Sequence, residues 1–326
     1  MPNPVLVVGA TGQLGSHVVR LLVARNVRVR ALVRRSSDTT LLRQLGVELA
    51  YGNLDDLASV QAACQGVGAV LATASSIVPG KGDRFGERDE GWYRNLTQAS
   101  REAGVQRFIY ISAFSSDHDG QVPEFQIKRR IERFIMDSGV PYTIFRSAAF
   151  MDVYFAVMGS SIPLRGVVNP TLERGFWLTR LSRQFAGGLV ENHGWALVPG
   201  NGSVRHAFIS VRNVAEFMVN ALEDESARNL VCDIGGPEAL AWDEVVAIYA
   251  DVLRRKVRSL HLPGSLLRLT RMLLGRFSPG SGNLLAILEL IGVVAYTHDS
   301  NAIAAQLQVT LETAHDFLAS HAREPG

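Results

Sequence analysis

Val5-Leu6-Val7-Val8 is a short apolar run that stops at Gly9-Ala10-Thr11-Gly12-Gln13-Leu14-Gly15, and a helix-forming stretch follows at once. An unbroken apolar run ending at glycine reads as a parallel strand buried on both faces. Each glycine then has its own job. Gly9 permits a tight turn, Gly12 removes a side chain where a pyrophosphate would approach the backbone, and Gly15 lets the helix pack close to the sheet. The helix start offers free N–H groups and the positive end of its dipole to an anion. A glycine triplet means little outside a strand–turn–helix setting. Here the setting is present, and the alternative is a tight turn that holds nothing.

The pattern continues downstream. Strands are expected at Val27–Val33, Val47–Tyr51, Ala69–Ala74, Phe108–Ser112 and Tyr142–Arg146. Helices alternate with them: one carrying Val18, Val19, Leu21, Leu22 and Val23 and closed by Asn26, then Leu41–Leu45, Leu57–Cys64, Trp92–Ala103 and Phe125–Asp137. Such alternation implies an α/β, doubly wound parallel sheet. The alternation lapses after Phe150. Val204–Asp224 reads as a strand and helix returning to the main sheet, and Asn229–Ile234 as a further strand. The expected division is a dinucleotide-binding part over residues 1–155, continued by 204–235. A smaller, mostly C-terminal α/β subdomain on the substrate side takes 156–203 and 236–326.

Composition narrows the class. Thirty-three basic and thirty-one acidic residues leave a net charge of +2, with no long basic block, so nucleic acid is not an expected partner. Cys64 and Cys232 stand far apart and form no C-x-x-C pair, which fits a reducing compartment and no metal site. The eight histidines make no ligand motif. The N-terminus lacks a signal-peptide pattern, and Leu284–Tyr296 is too short to span a bilayer, so a cytoplasmic, non-spanning protein is expected. With Leu266, Leu267, Leu269 and Met272, that stretch reads either as core or as a surface touching a membrane or partner.

The second strand ends at Val33-Arg34-Arg35, where an NAD site usually holds an acid; the nearest here is Asp38. A guanidinium fork grips a 2′-phosphate, so NADP(H) is favoured over NAD(H).

Gly9–Gly15, A-L-V-R-R, Y-G-N-L-D-D, R-F-I-Y-I-S and S-G-V-P-Y-T-I-F-R together resemble the atypical short-chain dehydrogenases/reductases, within them the NmrA-like branch. The resemblance runs in order through the first 150 residues and resumes at Phe208 in F-I-S-V-R-N-V-A-E-F. It implies a Rossmann fold with Gly9, Thr11, Gly12, Gln13, Leu14 and Gly15 along a pyrophosphate. Arg34, with Arg35 beside it, takes a 2′-phosphate. By the same resemblance Asn53 and Leu54 meet adenine, Thr73, Ala74 and Ser75 lie under the ribose, and Ala148, Ala149 and Phe150 flank the nicotinamide. Two positions depart from the branch: many relatives carry Asp where Asn53 stands, and often Pro where Ser147 sits.

Tyr-x-x-x-Lys, the usual catalytic pair of the superfamily, is matched by Glu124-Phe125-Gln126-Ile127-Lys128. The lysine is present and the tyrosine is not. Lys128 can orient a ribose and supply a proton if burial lowers its pKa, and Glu124 can do so if kept protonated. Against this, Glu124, Lys128 and Glu132 at i, i+4 spacing read as an exposed ion-pair ladder. Ser112, ending the fifth strand, is a second catalytic candidate. Phe150, Met151, Tyr154, Phe155, Phe176 and Trp177 suggest an apolar substrate region, and the loop 79–91 a cover for it. Two functions follow from these residues: a reductase of a small apolar carbonyl, quinone or enone, or a non-catalytic NADP(H)-binding regulator or assembly factor. The second would work through a protein partner, and a homodimer fits either.

Overall fold

The computed structural model describes residues 3–76, 88–173 and 175–324. Seven strands form one sheet: β1 (Val5–Val8), β2 (Val29–Val33), β3 (Glu48–Tyr51), β4 (Ala69–Ala72), β5 (Arg107–Ala113), β6 (Tyr142–Ser147) and β9 (Leu230–Ile234). Their order is β3-β2-β1-β4-β5-β6-β9 and every pairing is parallel. A parallel sheet must be covered on both faces, and two apolar layers do so. One face carries α1 (Gln13–Ala24) through Val18, Val19 and Leu22, with α8 (Val211–Asn220) through Val214, Phe217 and Met218. The other carries α3 (Leu57–Cys64), α4 (Asp89–Glu102) and α5 (Pro123–Asp137), burying Val60, Leu96, Ile131 and Ile135. Short α2 (Thr40–Gln44) leads into β3.

A third core lies beyond β6. It joins Phe155 of α6 (Met151–Val157) to Trp242 and Tyr249 of α9 (Trp242–Val252), to α11 (Pro279–Ile291) and to Phe317 of α13 (Ala314–Arg323). Around it stand α10 (Gly264–Gly275), packed on α11, and two two-stranded sheets: β7 (Trp195–Pro199) beside β11 (Arg258–Leu262), and β8 (Arg205–His206) beside β10 (Leu240–Ala241). Helix α7 (Trp177–Ala186) precedes β7 in the chain, and α12 (Asn301–Gln306) packs instead on the α1–α8 side through Ala304.

The expected strands and helices of the first 150 residues are present, their ends shifted by a few residues. The strand expected to return to the main sheet after Val204 does not. β8 pairs with β10 instead, and only α8 comes back, packing on α1. No described helix is long and apolar enough to cross a membrane. Met151 and Phe155, read from sequence as walls of a substrate region, are fully buried in the third core. Of the loop 79–91, residues 79–87 lie outside the described residues, and 88–91 open α4.

Candidate functional site

Where β1 and β4 lie side by side, the connections from their C-terminal ends run to opposite faces, and a crevice opens there. A groove of about 610 Å³ occupies it, lined by Gly9, Thr11, Gly12, Arg34, Asn53, Leu54, Thr73, Ala74 and Ser75 among others. A second hollow of about 360 Å³ continues it, sharing Arg34, Gly52 and Asn53 and adding Arg35 and Tyr51.

The glycine turn is held by fit. Gly9 has φ +85°, and a Cβ there would meet Thr73 Oγ1 at 2.7 Å and Ala74 N at 2.8 Å. A Cβ on Gly15 would lie 2.1 Å from the Gly9 carbonyl oxygen. Helix α1 starts at Gly12 with no side-chain cap and no acid in its first turn. Uncapped first-turn N–H groups beside a groove suit an anion. A nucleotide diphosphate fits this cradle because the space is kept free of side chains.

At the other end of the groove Arg34 and Arg35 are exposed, the latter with its guanidinium 5.8 Å from the Tyr51 ring centre. Asp38, set aside on sequence grounds, also lines the groove, but its carboxylate is taken by the Thr40 N–H at 2.9 Å and hydroxyl at 2.7 Å. Asn53 closes its own turn: Nδ2 donates to Asp55 Oδ2 at 3.1 Å.

The structure brings some expected site residues to the groove and keeps others away. Gln13 and Leu14 turn their side chains inward. Gln13 Nε2 donates to Asp152 Oδ1 at 3.1 Å while its Oε1 accepts the Thr171 N–H at 3.0 Å. Ser112 is buried, accepting a long 3.5 Å hydrogen bond from Arg129. Ala148 and Ala149 are buried in main-chain pairing with Ile234 and Ile209, and Phe150 bridges to Ile209. None of these lines the groove.

Lys128 sits behind the groove wall. The ladder reading fails here, because Glu124, Lys128 and Glu132 are all buried. Helix α5 lies under α4 and against α11, so the face that spacing assigns to solvent meets protein. Glu124 takes the Ser75 hydroxyl at 3.2 Å, and its Oε1 lies 3.9 Å from Lys128 Nζ. Lys128 Nζ also donates to the Ile111 carbonyl at 3.4 Å and stands 5.0 Å from the Tyr110 ring centre. Burial pushes the Glu124 carboxyl up to about 7, with Asp89 adding to the rise and Lys128 and Ser75 opposing it. Its Oε2 has no partner among the described residues, as befits a carboxyl that holds a proton. Asp89, also buried, accepts the Ser76 N–H at 3.1 Å. Ser75 and Ser76 both line the groove, so this acid pair abuts it through two serines.

Sequence reasoning missed the segment that crosses the cradle. Val167, Asn169, Pro170, Glu173 and Gly175 line the groove, and Asn169 Nδ2 donates to the Thr11 carbonyl at 3.0 Å. No local signal marks it, since the contact joins residues 158 apart in sequence. Trp92 was missed as a groove residue too; its Nε1 donates to Asp55 Oδ1 at 2.7 Å.

Residues 1–272 match the NmrA-like family. The chain belongs to that family. Among its relatives, the sterol demethylase protein B of Methylococcus capsulatus is 33% identical over 255 residues, covering 73% of each chain. The photosystem II assembly factor Ycf39 of Trieres chinensis is 25% identical over 290 residues, covering 88% of this chain and 82% of that one. An NADPH-dependent quinone oxidoreductase of Escherichia coli, solved with NADPH, shares the fold at TM-score 0.68 and 19% identity, covering 97% and 99%.

Proposed function

We propose that this NmrA-like protein is an NADP(H)-dependent reductase of a small apolar carbonyl, quinone or enone. The observation that carries the reading is the continuous groove, side-chain-free at Gly9 and Gly12 and ending at Arg34. The diphosphate rests on free main-chain N–H groups of the Gly9–Gly15 turn, those of Gln13 and Leu14 included, the Gly12 N–H being taken by the Gly9 carbonyl at 2.9 Å. Arg34 takes the 2′-phosphate with Arg35 beside it, Asn53 and Leu54 border the adenine, and Thr73, Ala74 and Ser75 border the ribose. NADPH supplies the hydride when bound. The quinone oxidoreductase with the same fold motivates the substrate class. A cytoplasmic setting goes with this reading.

What the chain itself adds is a proton. The reduced oxygen needs one, and the missing phenol cannot give it. Glu124, protonated near neutrality by burial, holds it; the Ser75 hydroxyl, 3.2 Å away, carries it to the groove; Lys128, 3.9 Å from the carboxyl, steadies the charge left behind. Ser112 plays no direct part in this route.

NADPH oxidation by nucleotide-stripped protein, followed with a panel of quinones, enones and aldehydes, tests the proposal. Turnover with at least one is expected, with kcat falling above pH about 7 and Glu124→Gln removing that fall. Tight NADPH binding without turnover on any substrate would leave the second reading, a nucleotide-dependent assembly factor. The absent tyrosine and the Ycf39 relative favour that reading. Lys128→Ala should then keep NADPH and partner binding, whereas in a reductase it lowers kcat.

A further inference from the structure

Helix α10 leaves an apolar face uncovered. Leu267 packs inward, while Leu266, Leu269, Met272 and Leu273 are 49%, 55%, 66% and 59% exposed, and Phe277, just past the helix, is 85% exposed. Spacings of three, six and seven residues put the four helical ones on one side. Scattered single apolar residues on a surface need no explanation, but a contiguous apolar stripe marks a docking site.

Charge says what docks. From Val252 to Leu288 the chain holds no Asp or Glu, yet Arg254-Arg255-Lys256 and Arg258 lead through β11 into α10 and Arg276 closes it. Arg268 and Arg271 are instead both paired with Glu289 of α11, at 2.8 and 2.9 Å, and are not among the cations counted here. Among the described residues none of these exposed cations is in an ion pair, although Arg255 also donates to the Glu191 carbonyl and Arg258 stands over the Trp195 ring. Exposed apolar side chains preceded along the chain by such cations match a bilayer surface of anionic lipids, whose acyl boundary accepts the former and whose phosphates accept the latter. A second copy is the poorer occupant, because two such faces would bring their cations together. The helix, twelve residues and so about 18 Å long, suits lying in the interface rather than crossing it.

We propose that α10 and Phe277 dock the protein on anionic membranes, with Arg254, Arg255, Lys256 and Arg276 against the lipid phosphates. Co-sedimentation with phosphatidylglycerol–phosphatidylcholine vesicles, and with phosphatidylcholine alone, tests it. Binding to the anionic vesicles is expected at low salt, at least about tenfold weaker for the neutral ones and in high salt. Arg254→Gln/Arg255→Gln/Lys256→Gln should weaken it by about a hundredfold, three charges' worth near the surface. Met272→Asp/Leu273→Asp should abolish it. Both variants change exposed positions outside the groove, and unchanged melting and NADPH affinity will show them folded. Three outcomes overturn the proposal: no binding to anionic vesicles, equal binding to neutral ones, or a dimer in sedimentation equilibrium that Met272→Asp/Leu273→Asp disperses without any effect on vesicle binding.

Discussion

Gly15 and Gly9 support one another across the first turn of α1, and there is no room for a methyl group between them. Gly15→Ala places a carbon 2.1 Å from the Gly9 carbonyl oxygen, which only a shift of backbone can relieve. A loss of about 3 kcal/mol, the upper end for an overpacked site, is expected in a denaturant melt, with weaker NADPH binding in proportion. Arg34 makes a different kind of contribution. It is exposed and stabilises nothing that the fold requires, so Arg34→Ala should leave the melt unchanged. It should weaken NADPH by about 10- to 100-fold and NADH hardly at all, as calorimetry on stripped protein would report. Equal loss for both coenzymes would sink the 2′-phosphate assignment. The tight fit of Gly15 and the place of Arg34 at the groove were legible from sequence because each has a local reason: a strand–turn–helix for the one and the end of the next strand for the other. Gln13 was not, because its side chain answers to Asp152 and Thr171, 139 and 158 residues away. Its neighbours in sequence give no hint that an amide inside the glycine loop ties distant segments together.

Helix α5 shows where spacing misleads. Ile127, Ile131 and Ile135 are core, but the second stripe, Glu124–Lys128–Glu132, which spacing assigns to solvent, is covered by α4, α11 and the ends of β5 and β6. An i, i+4 pattern of charges says that two groups can meet; it does not say whether water is present. The burial has a consequence for stability. The folded-state carboxyl of Glu124 titrates near 7, above its unfolded value of 4.5, so the native chain holds a proton that the unfolded chain has lost between those limits. Stability is therefore greatest below about pH 4.5 from this group and declines as pH rises through 7, by about 3 kcal/mol for a shift of this size. Glu124→Gln should flatten melting temperature against pH across that window. A slope that survives the substitution would assign it elsewhere. The segment 167–175 is the other element that sequence could not place. Asn169 adopts φ +52° and reaches the Thr11 carbonyl, and Asn169→Gly, which keeps the left-handed backbone unstrained, should speed NADPH release several-fold in stopped-flow displacement while sparing the melt.

Asp152 gathers the starts of two helices on one buried carboxylate. Its Oδ1 accepts from Gln13 at the start of α1, its Oδ2 accepts the Val211 N–H at the start of α8 at 2.9 Å, and through Gln13 it reaches Thr171 in the segment over the groove. One carboxylate on α6 thus ties the nucleotide turn, the helix that returns to the sheet, and the strap. Burial raises it to about 6, with the Val211 N–H and Gln13 amide resisting, so it weakens the fold with rising pH in the same sense as Glu124. Of these three contacts only the one from the Thr171 N–H to Gln13 Oε1 joins residues 156–203 to residues 1–155 and 204–235, so Asp152 acts on that junction through the Gln13 amide that it holds. Wild-type protein should then melt in a single calorimetric transition that saturating NADPH raises as a whole, by about 2.7 kcal/mol at a hundred times Kd. Asp152→Ala leaves the Gln13 amide and the Val211 N–H buried without partners, at about 1–3 kcal/mol each. It should split the melt in two, with NADPH moving only the transition that contains the glycine turn. A variant that melted once, and moved as one with nucleotide, would show that the apolar core around Phe155 and Trp242 alone suffices to bind the two parts into one cooperative body.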